Sequence, residues 1–249
     1  MIFVSEETRR LFEYLNAQQN FSVLHKGLPA QPFHEYCAAH SREDAREAVG
    51  APPGAKIILN IGTVCERKDQ MTLVRAAALL REKRRDFCCY VVGLRENLPY
   101  AQEIQKLAHE RNLDGYIKFI PETDDVRPYL RAADIFAFTS HTEASSRVLL
   151  EAQACGLPIL TTNCGGVREI VCEGANAIIF PFSDAPALAW HLGDLLDNHK
   201  KRERMGQASR HVFDFLLSYE EMIARYESLL WGAWMSDDTQ PTTRLQNVP

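Results

Sequence analysis

From residue 57 onward, short continuous apolar runs alternate with amphipathic stretches in a regular rhythm. The runs at 57–62, 88–93, 116–120, 135–138 and 159–162, with a shorter one at 178–180, are nearly unbroken in apolar residues, as strands are when both faces of their sheet are covered. Between them, residues 70–83, 100–111, 126–132, 147–154 and 185–198 carry apolar positions at helical spacing. Strands alternating with helical crossovers predict an α/β domain built on a doubly wound parallel sheet. In such sheets ligands settle at the carboxyl ends of the strands.

The first fifty residues do not keep this rhythm. Phe3-Val4-Ser5 reads as the end of a strand, residues 6–15 as a helix, and Phe21-Ser22-Val23-Leu24 as a strand entering the turn His25-Lys26-Gly27-Leu28-Pro29. Two short strands before a linker cannot bury both of their faces, so residues 1–50 are expected to be the remnant of a preceding domain together with a connecting linker. Residues 51–215 form the α/β domain. Residues 216–235 form a C-terminal helix, with Met222, Ile223, Tyr226, Leu229, Leu230 and Trp234 spaced along one apolar face. The polar stretch 236–249 reads as a disordered tail.

Composition narrows the function classes. The chain has 249 residues, 46% of them hydrophobic, with a formal net charge of −5, which gives no basic footprint for nucleic acid. No apolar run approaches the ~18 residues needed to cross a bilayer, and Glu6 interrupts the N-terminus before a signal-peptide core can form. A cytoplasmic location is expected. The cluster Lys200-Lys201-Arg202-Glu203-Arg204 falls on a surface helix and reads as a solvated face, with peripheral membrane association as the alternative. Seven cysteines, with no CxxC pair and no histidine at ligand spacing, read as free thiols and leave no metal site.

Three segments carry candidate chemistry. In Ile61-Gly62-Thr63-Val64-Cys65-Glu66-Arg67-Lys68 a strand ends in glycine and two cations precede a helix, an arrangement in which amides and positive charge converge on a phosphate. A surface Arg-Lys pair is the plainer account. In Thr139-Ser140-His141-Thr142-Glu143-Ala144-Ser145-Ser146-Arg147-Val148-Leu149-Leu150-Glu151 a polar loop follows a strand, and Ser145 or Ser146 is expected to cap the next helix. Glu143 then lies beside the positive helix end. Glu151 lies about two turns further on among apolar neighbours, where two adjacent hydroxyls such as those of a ribose could donate to a buried carboxylate. Two solvated acids would give the same spacing. In Thr161-Thr162-Asn163-Cys164-Gly165-Gly166-Val167-Arg168-Glu169 the glycine pair marks either a close approach of backbone to a neighbour or a tight turn.

The order IGTVCERK, then KFIPETDDVRPYLRAADIFAFTSHTEASSRVLLEAQACGLPILTTNCGGVREIV, then FPFSDAPALAWHLGDLL resembles the C-terminal half of the retaining glycosyltransferases of the GT-B fold, family 4 or group 1. The match covers roughly residues 55–215, and Val4-Ser5 with His25-Lys26-Gly27-Leu28-Pro29 resembles the family's last N-domain strand and interdomain connection. The resemblance implies transfer of a sugar from a nucleoside diphosphate to an acceptor, with retention and no required metal or cofactor. It implies contact of Lys68, with Gly62, Thr63 and Arg67 around it, with the diphosphate. It further implies ribose binding by Glu151, Thr123 near the base, and Ser145, Ser146, Arg147 and Val148 around sugar hydroxyls and phosphate. Glu143 is implied as the catalytic position near the reacting sugar. Thr63 stands where many members carry arginine, Ala144-Ser145-Ser146 where Gly-Phe-Gly is frequent, and Pro121 where glycine is common. The acceptor-binding N-domain is not identifiable. The chain is therefore expected to be the C-terminal portion of such an enzyme, either truncated or completed by a separate N-terminal-domain chain as a partner beside the nucleotide sugar, and a non-catalytic nucleotide-sugar-binding or scaffold subunit is the alternative function.

Overall fold

The structure, a computed structural model, describes residues 1–15, 21–216 and 218–236. Its centre is a six-stranded parallel sheet in the order β5-β4-β3-β6-β7-β8, formed by β3 (Lys56–Ile61), β4 (Phe87–Leu94), β5 (Ile117–Pro121), β6 (Ile135–Phe138), β7 (Ile159–Thr162) and β8 (Ala177–Phe180). The chain lays strands outward from β3 to β5, returns to set β6 against the other side of β3, and then continues to β8. A switch point opens between the carboxyl ends of β3 and β6, where Asn60 Nδ2 donates to Ala137 O across the pair at 2.8 Å.

The strands read as apolar because successive side chains feed two separate cores. Ile58, Cys89, Val91, Ile135, Ala137 and Leu160 point to one face, under α4 (Gln70–Lys83), α5 (Pro99–Glu110) and α8 (Ala185–Asp197). Ile57, Leu59, Tyr90, Phe136, Phe138 and Ile159 point to the other, under α6 (Arg127–Ala132) and α7 (Arg147–Ala154).

That second face is completed by two helices for which the hydrophobic pattern gave no expectation, α2 (Gln31–Ala39) and α3 (Arg42–Ala48). They insert Phe33 and Ala45 into the core. Buried Asp134 fastens α3 to the sheet, accepting from Arg42 at 2.8 Å, from Arg46 at 2.6 Å and from the Ile57 amide at 2.7 Å.

At the N-terminus, β1 (Ile2–Phe3) and β2 (Ser22–Val23) form a separate two-stranded parallel pair, and α1 (Glu6–Arg10) lies against the turn at Gly165–Glu169. Beyond α8, α9 (His199–Phe215) carries the basic cluster, but not as a wholly solvated face. Arg202 is buried and caps the last carbonyls of α8 at Leu195 and Leu196, while Lys201 pairs with Asp194 at 2.6 Å. The C-terminal helix α10 (Tyr219–Ser236) returns past the turn at residues 25–29, where Gly27 meets the backbone of Ser218 and donates its amide to Met222 Sδ at 3.1 Å. Its Ile223, Tyr226 and Leu230 are exposed. No helix among the described residues is long and apolar enough to cross a membrane. The expectation of a disordered tail falls on 237–249, outside the described residues.

Candidate functional site

The site grows from the carboxyl end of β3. Gly62 takes φ of +146°, and a side chain on its neighbour Gly93 would come within 2.4 Å of the Gly62 carbonyl, so β3 and β4 can end this close together only with glycine at 93. The chain then makes a 3₁₀ turn at Glu66–Lys68 and enters α4 through Asp69, which adopts the left-handed conformation and caps the helix through Thr72. This turn folds the Lys68 stem back over Gly62.

The loop after β6 meets the turn from the other side. Thr139 Oγ1 donates to Lys68 O at 2.7 Å, and the His141 amide donates to Arg67 O at 2.9 Å. Arg67 donates to Thr142 O at 3.0 Å and to Glu143 Oε1 at 2.7 Å, and Lys68 Nζ pairs with the same carboxylate oxygen. Lys68 and Glu143 are mostly enclosed, with side-chain exposures of 13% and 12%, whereas Arg67 is 52% exposed. Two cations against one carboxylate leave an excess positive charge beside the N-terminus of α7.

The cap expected of Ser145 or Ser146 is not made. Ser146 is the N-cap residue, yet its hydroxyl takes no helix amide, and it is buried without a hydrogen-bond partner among the described residues, as is that of Ser140. The backbone there is extended, so the first amides of α7, at Arg147 and Val148, have no side-chain cap. Ser145 O accepts from Lys26 Nζ at 3.3 Å. Val148 turns its side chain toward the second core.

Glu151 belongs to a different part of the site. It is buried, with Arg147 Nε donating to its Oε1 at 2.9 Å. Burial pushes its carboxyl above the usual range, and Arg147 offsets part of that shift. With Pro29, Phe33 and Asp124 it lines a cavity of about 210 Å³. A larger cavity, about 640 Å³, is lined by Gly62, Thr63, Gly93, Glu122, Thr123 and Val126, and Asp124 and Val126 border both.

Direct contacts therefore join Gly62, Arg67, Lys68 and Glu143. Thr63 and Thr123 share the larger cavity, and Arg147 and Glu151 the smaller. Several residues that shape the site were not among the expected site residues. Gly165, at φ +51°, leaves room for the Glu143 carbonyl, from which an added Cβ would lie only 1.4 Å away. This is the close approach that the glycine pair left open. His141 Nε2 lies 2.9 Å from both Asp69 Oδ2 and Ser183 Oγ, and Ser183 also donates to Asp69 at 3.1 Å. One ring nitrogen meeting both partners makes a clasp on the Asp69 cap rather than a nucleophile relay. Glu122 takes Arg95 at 2.8 Å on the rim of the larger cavity. Among the described residues, no three His, Cys, Asp or Glu side chains gather as a metal site.

Comparison with known proteins agrees with this architecture. The family profile described as "Glycosyl transferases group 1" matches residues 41–212. The D-inositol 3-phosphate glycosyltransferase of Nocardia farcinica is 30% identical over 237 residues, covering 91% of this chain and 52% of that protein. The structure of WaaG, a glycosyltransferase involved in lipopolysaccharide biosynthesis, superposes with a TM-score of 0.79 at 25% identity, covering 92% of this chain and 62% of that one. Anabaena HepE in complex with UDP and glucose gives a TM-score of 0.82 at 18% identity, over 92% and 62%. The chain spans about half the length of the curated relatives it matches.

Proposed function

The chain belongs to the group 1 glycosyl transferases, and we propose that its switch-point site holds a nucleoside diphosphate sugar, so that the chain acts as the donor-binding half of a glycosyltransferase. The observation that carries this reading is the meeting of Lys68, Arg67 and Glu143 in the loop that leads into the uncapped N-terminus of α7, with Lys68 folded over Gly62, a residue that lines the 640 Å³ cavity. A diphosphate takes up the excess positive charge and the free amides together. The base enters the larger cavity near Thr123 and the ribose hydroxyls reach Glu151, whose buried carboxylate gains donors. UDP bound to HepE, a protein of the same fold, supports the nucleotide class.

In the proposed reaction Lys68 and the α7 amides stabilise the diphosphate as it leaves the anomeric carbon. Glu143 exchanges its contacts with the two cations for the sugar side of the site. Retention of the anomeric configuration and independence from metal follow the family resemblance. Transfer requires a second domain to supply the acceptor and exclude water, whether in the same polypeptide or in a separate chain.

Calorimetric titration with UDP, GDP and ADP tests the donor site. Binding of at least one is expected, weakened about tenfold to a hundredfold by Lys68→Ala, the loss of a charged hydrogen bond worth ~1.5–3 kcal/mol. Absence of binding by all three nucleotides sinks the reading. Binding without transfer, even when a complementary N-terminal domain is supplied, would instead identify a nucleotide-sugar-binding subunit.

A further inference from the structure

Cys37 on α2 and Cys155 at the C-cap of α7 are 118 residues apart in sequence, yet their Sγ atoms lie 4.0 Å apart. Cys155 is buried at 7% exposure and Cys37 is half-buried, and both are free thiols. Cys155 lines a cavity of about 250 Å³ near the amino ends of β6 and β7, together with Arg131, Gly156, Arg202 and Arg210. A Cβ on Gly156 would lie 2.6 Å from Arg210 Nε, so the missing side chain lets that guanidinium close over the chain directly after Cys155.

The surroundings separate the two thiols chemically. The hydrogen bond between them holds the Cys37 thiol below its ordinary range. Arg131 and Arg210 act in the same direction, while burial opposes them. The same hydrogen bond and burial push Cys155 up. Of the other cysteines, Cys88, Cys89 and Cys164 are buried with thiols pushed up by burial, and Cys172 is exposed.

We propose that Cys37 and Cys155 form a peroxide-responsive dithiol, with Cys37 as the site of oxidation and Cys155 as the resolving thiol. The Cys37 thiolate attacks one oxygen of a hydroperoxide. The O–O bond breaks, the departing oxygen leaves with a proton as water or alcohol, and Cys37 becomes a sulfenic acid. The Cys155 sulfur then attacks the Cys37 sulfur and gives up its proton, and the sulfenic hydroxyl leaves as water. Sulfur is oxidised from two thiols to a disulfide, and the peroxide is reduced. The sulfurs, 4.0 Å apart, have to close to the ~2.0 Å of a disulfide bond. The bond ties α2, which carries Pro32 and Phe33, to α7, which carries Arg147 and Glu151. These are facing walls of the 210 Å³ cavity.

Peptide mapping of the full chain tests this. The reduced protein is treated with hydrogen peroxide, alkylated in denaturant, digested and analysed by mass spectrometry. A Cys37–Cys155 linked peptide that disappears on dithiothreitol treatment is expected, with a raised denaturant midpoint for the oxidised protein. Cys155→Ala should leave Cys37 as a sulfenic acid trapped by dimedone, and Cys37→Ser should leave Cys155 reduced. The proposal is overturned if both thiols remain alkylatable at a peroxide dose that oxidises Cys172, or if Cys37 is oxidised in the unaltered chain without forming the link. The mapping decides on the unaltered protein even if Cys155→Ala fails to fold.

Discussion

Glu143 carries one negative charge and touches two positive ones, Arg67 at 2.7 Å and Lys68. That carboxylate occupies the cations assigned to the proposed diphosphate, so the two anions would compete. Glu143→Gln should therefore tighten binding of a nucleoside diphosphate in a calorimetric titration, while lowering sugar transfer by the completed enzyme by about a hundredfold or more. Weaker nucleotide binding in this variant would show that Glu143 organises the cations rather than masking them. Glu151 has a different signature. Its folded carboxyl titrates above the unfolded value, so the folded state holds the extra proton and its contribution to stability falls as pH rises through and just above the ordinary glutamate range. Glu151→Gln should flatten that fall in urea melts across this window. At neutral pH it should leave stability equal or slightly higher, while still weakening nucleotide binding.

Among the elements, the loop after β6 owes its shape to residues distant in sequence. Gly165 gives way to the Glu143 carbonyl, and its φ of +51° already disfavours a side chain. Gly165→Ala should cost at least about 2 kcal/mol in chemical denaturation and displace Glu143, reducing nucleotide binding with it. The neighbouring turn holds α1 through Glu169, which accepts the amides of Glu6 at 2.9 Å and Glu7 at 3.1 Å and lies 2.7 Å from His25 Nε2. Burial works against the Glu169 carboxylate, but these partners outweigh it and hold its carboxyl below the usual range. The sign is opposite to that of Glu151. The clasp is complete above the ordinary glutamate value and is lost as pH falls through the lowered one. Hydrogen exchange at residues 6 and 7 should quicken in Glu169→Ala at fixed pH, and in the unaltered chain their protection relative to the intrinsic exchange rate should fall at acid pH.

The strands and crossover helices were legible because continuous apolar runs and helical spacing are local signals. Helices α2 and α3 were not, since each buries a single apolar residue, Phe33 or Ala45. The readable mark of α3 was its capping box, Ser41 with Asp44. The glycine pair at 165–166 could be seen to permit a close approach, but which carbonyl approached was a tertiary fact. So was the meeting of Cys37 with Cys155. The Ser146 cap failed because propensity alone cannot tell whether a serine beside a helix end faces its amides.

On the scale of the whole molecule, the strand order places three chain segments at one crevice: 61–69 from β3, 121–126 from β5 and 139–151 from β6. The strand alternation made the carboxyl edge legible. It could not show that the larger and the smaller cavity would be bordered by the same two residues, Asp124 and Val126. The proposed reaction leaves the acceptor side to another domain, so this chain alone should bind nucleotide, with affinity falling as salt rises, and transfer little sugar. Chelation with EDTA should leave nucleotide titrations unchanged; a loss of binding would require a metal bridge to the phosphates.

The meeting of Gly62 with Gly93 has a consequence for how such a protein can diversify. The floor of the larger cavity there is main chain, which is the same whatever the surrounding sequence, and any side chain added at Gly93 strikes the Gly62 carbonyl. Variation in what this cavity accepts then falls to the side chains around that floor, at Thr63, Glu122, Thr123, Asp124 and Val126. An evolving or engineered variant can change those residues while inheriting the floor unaltered.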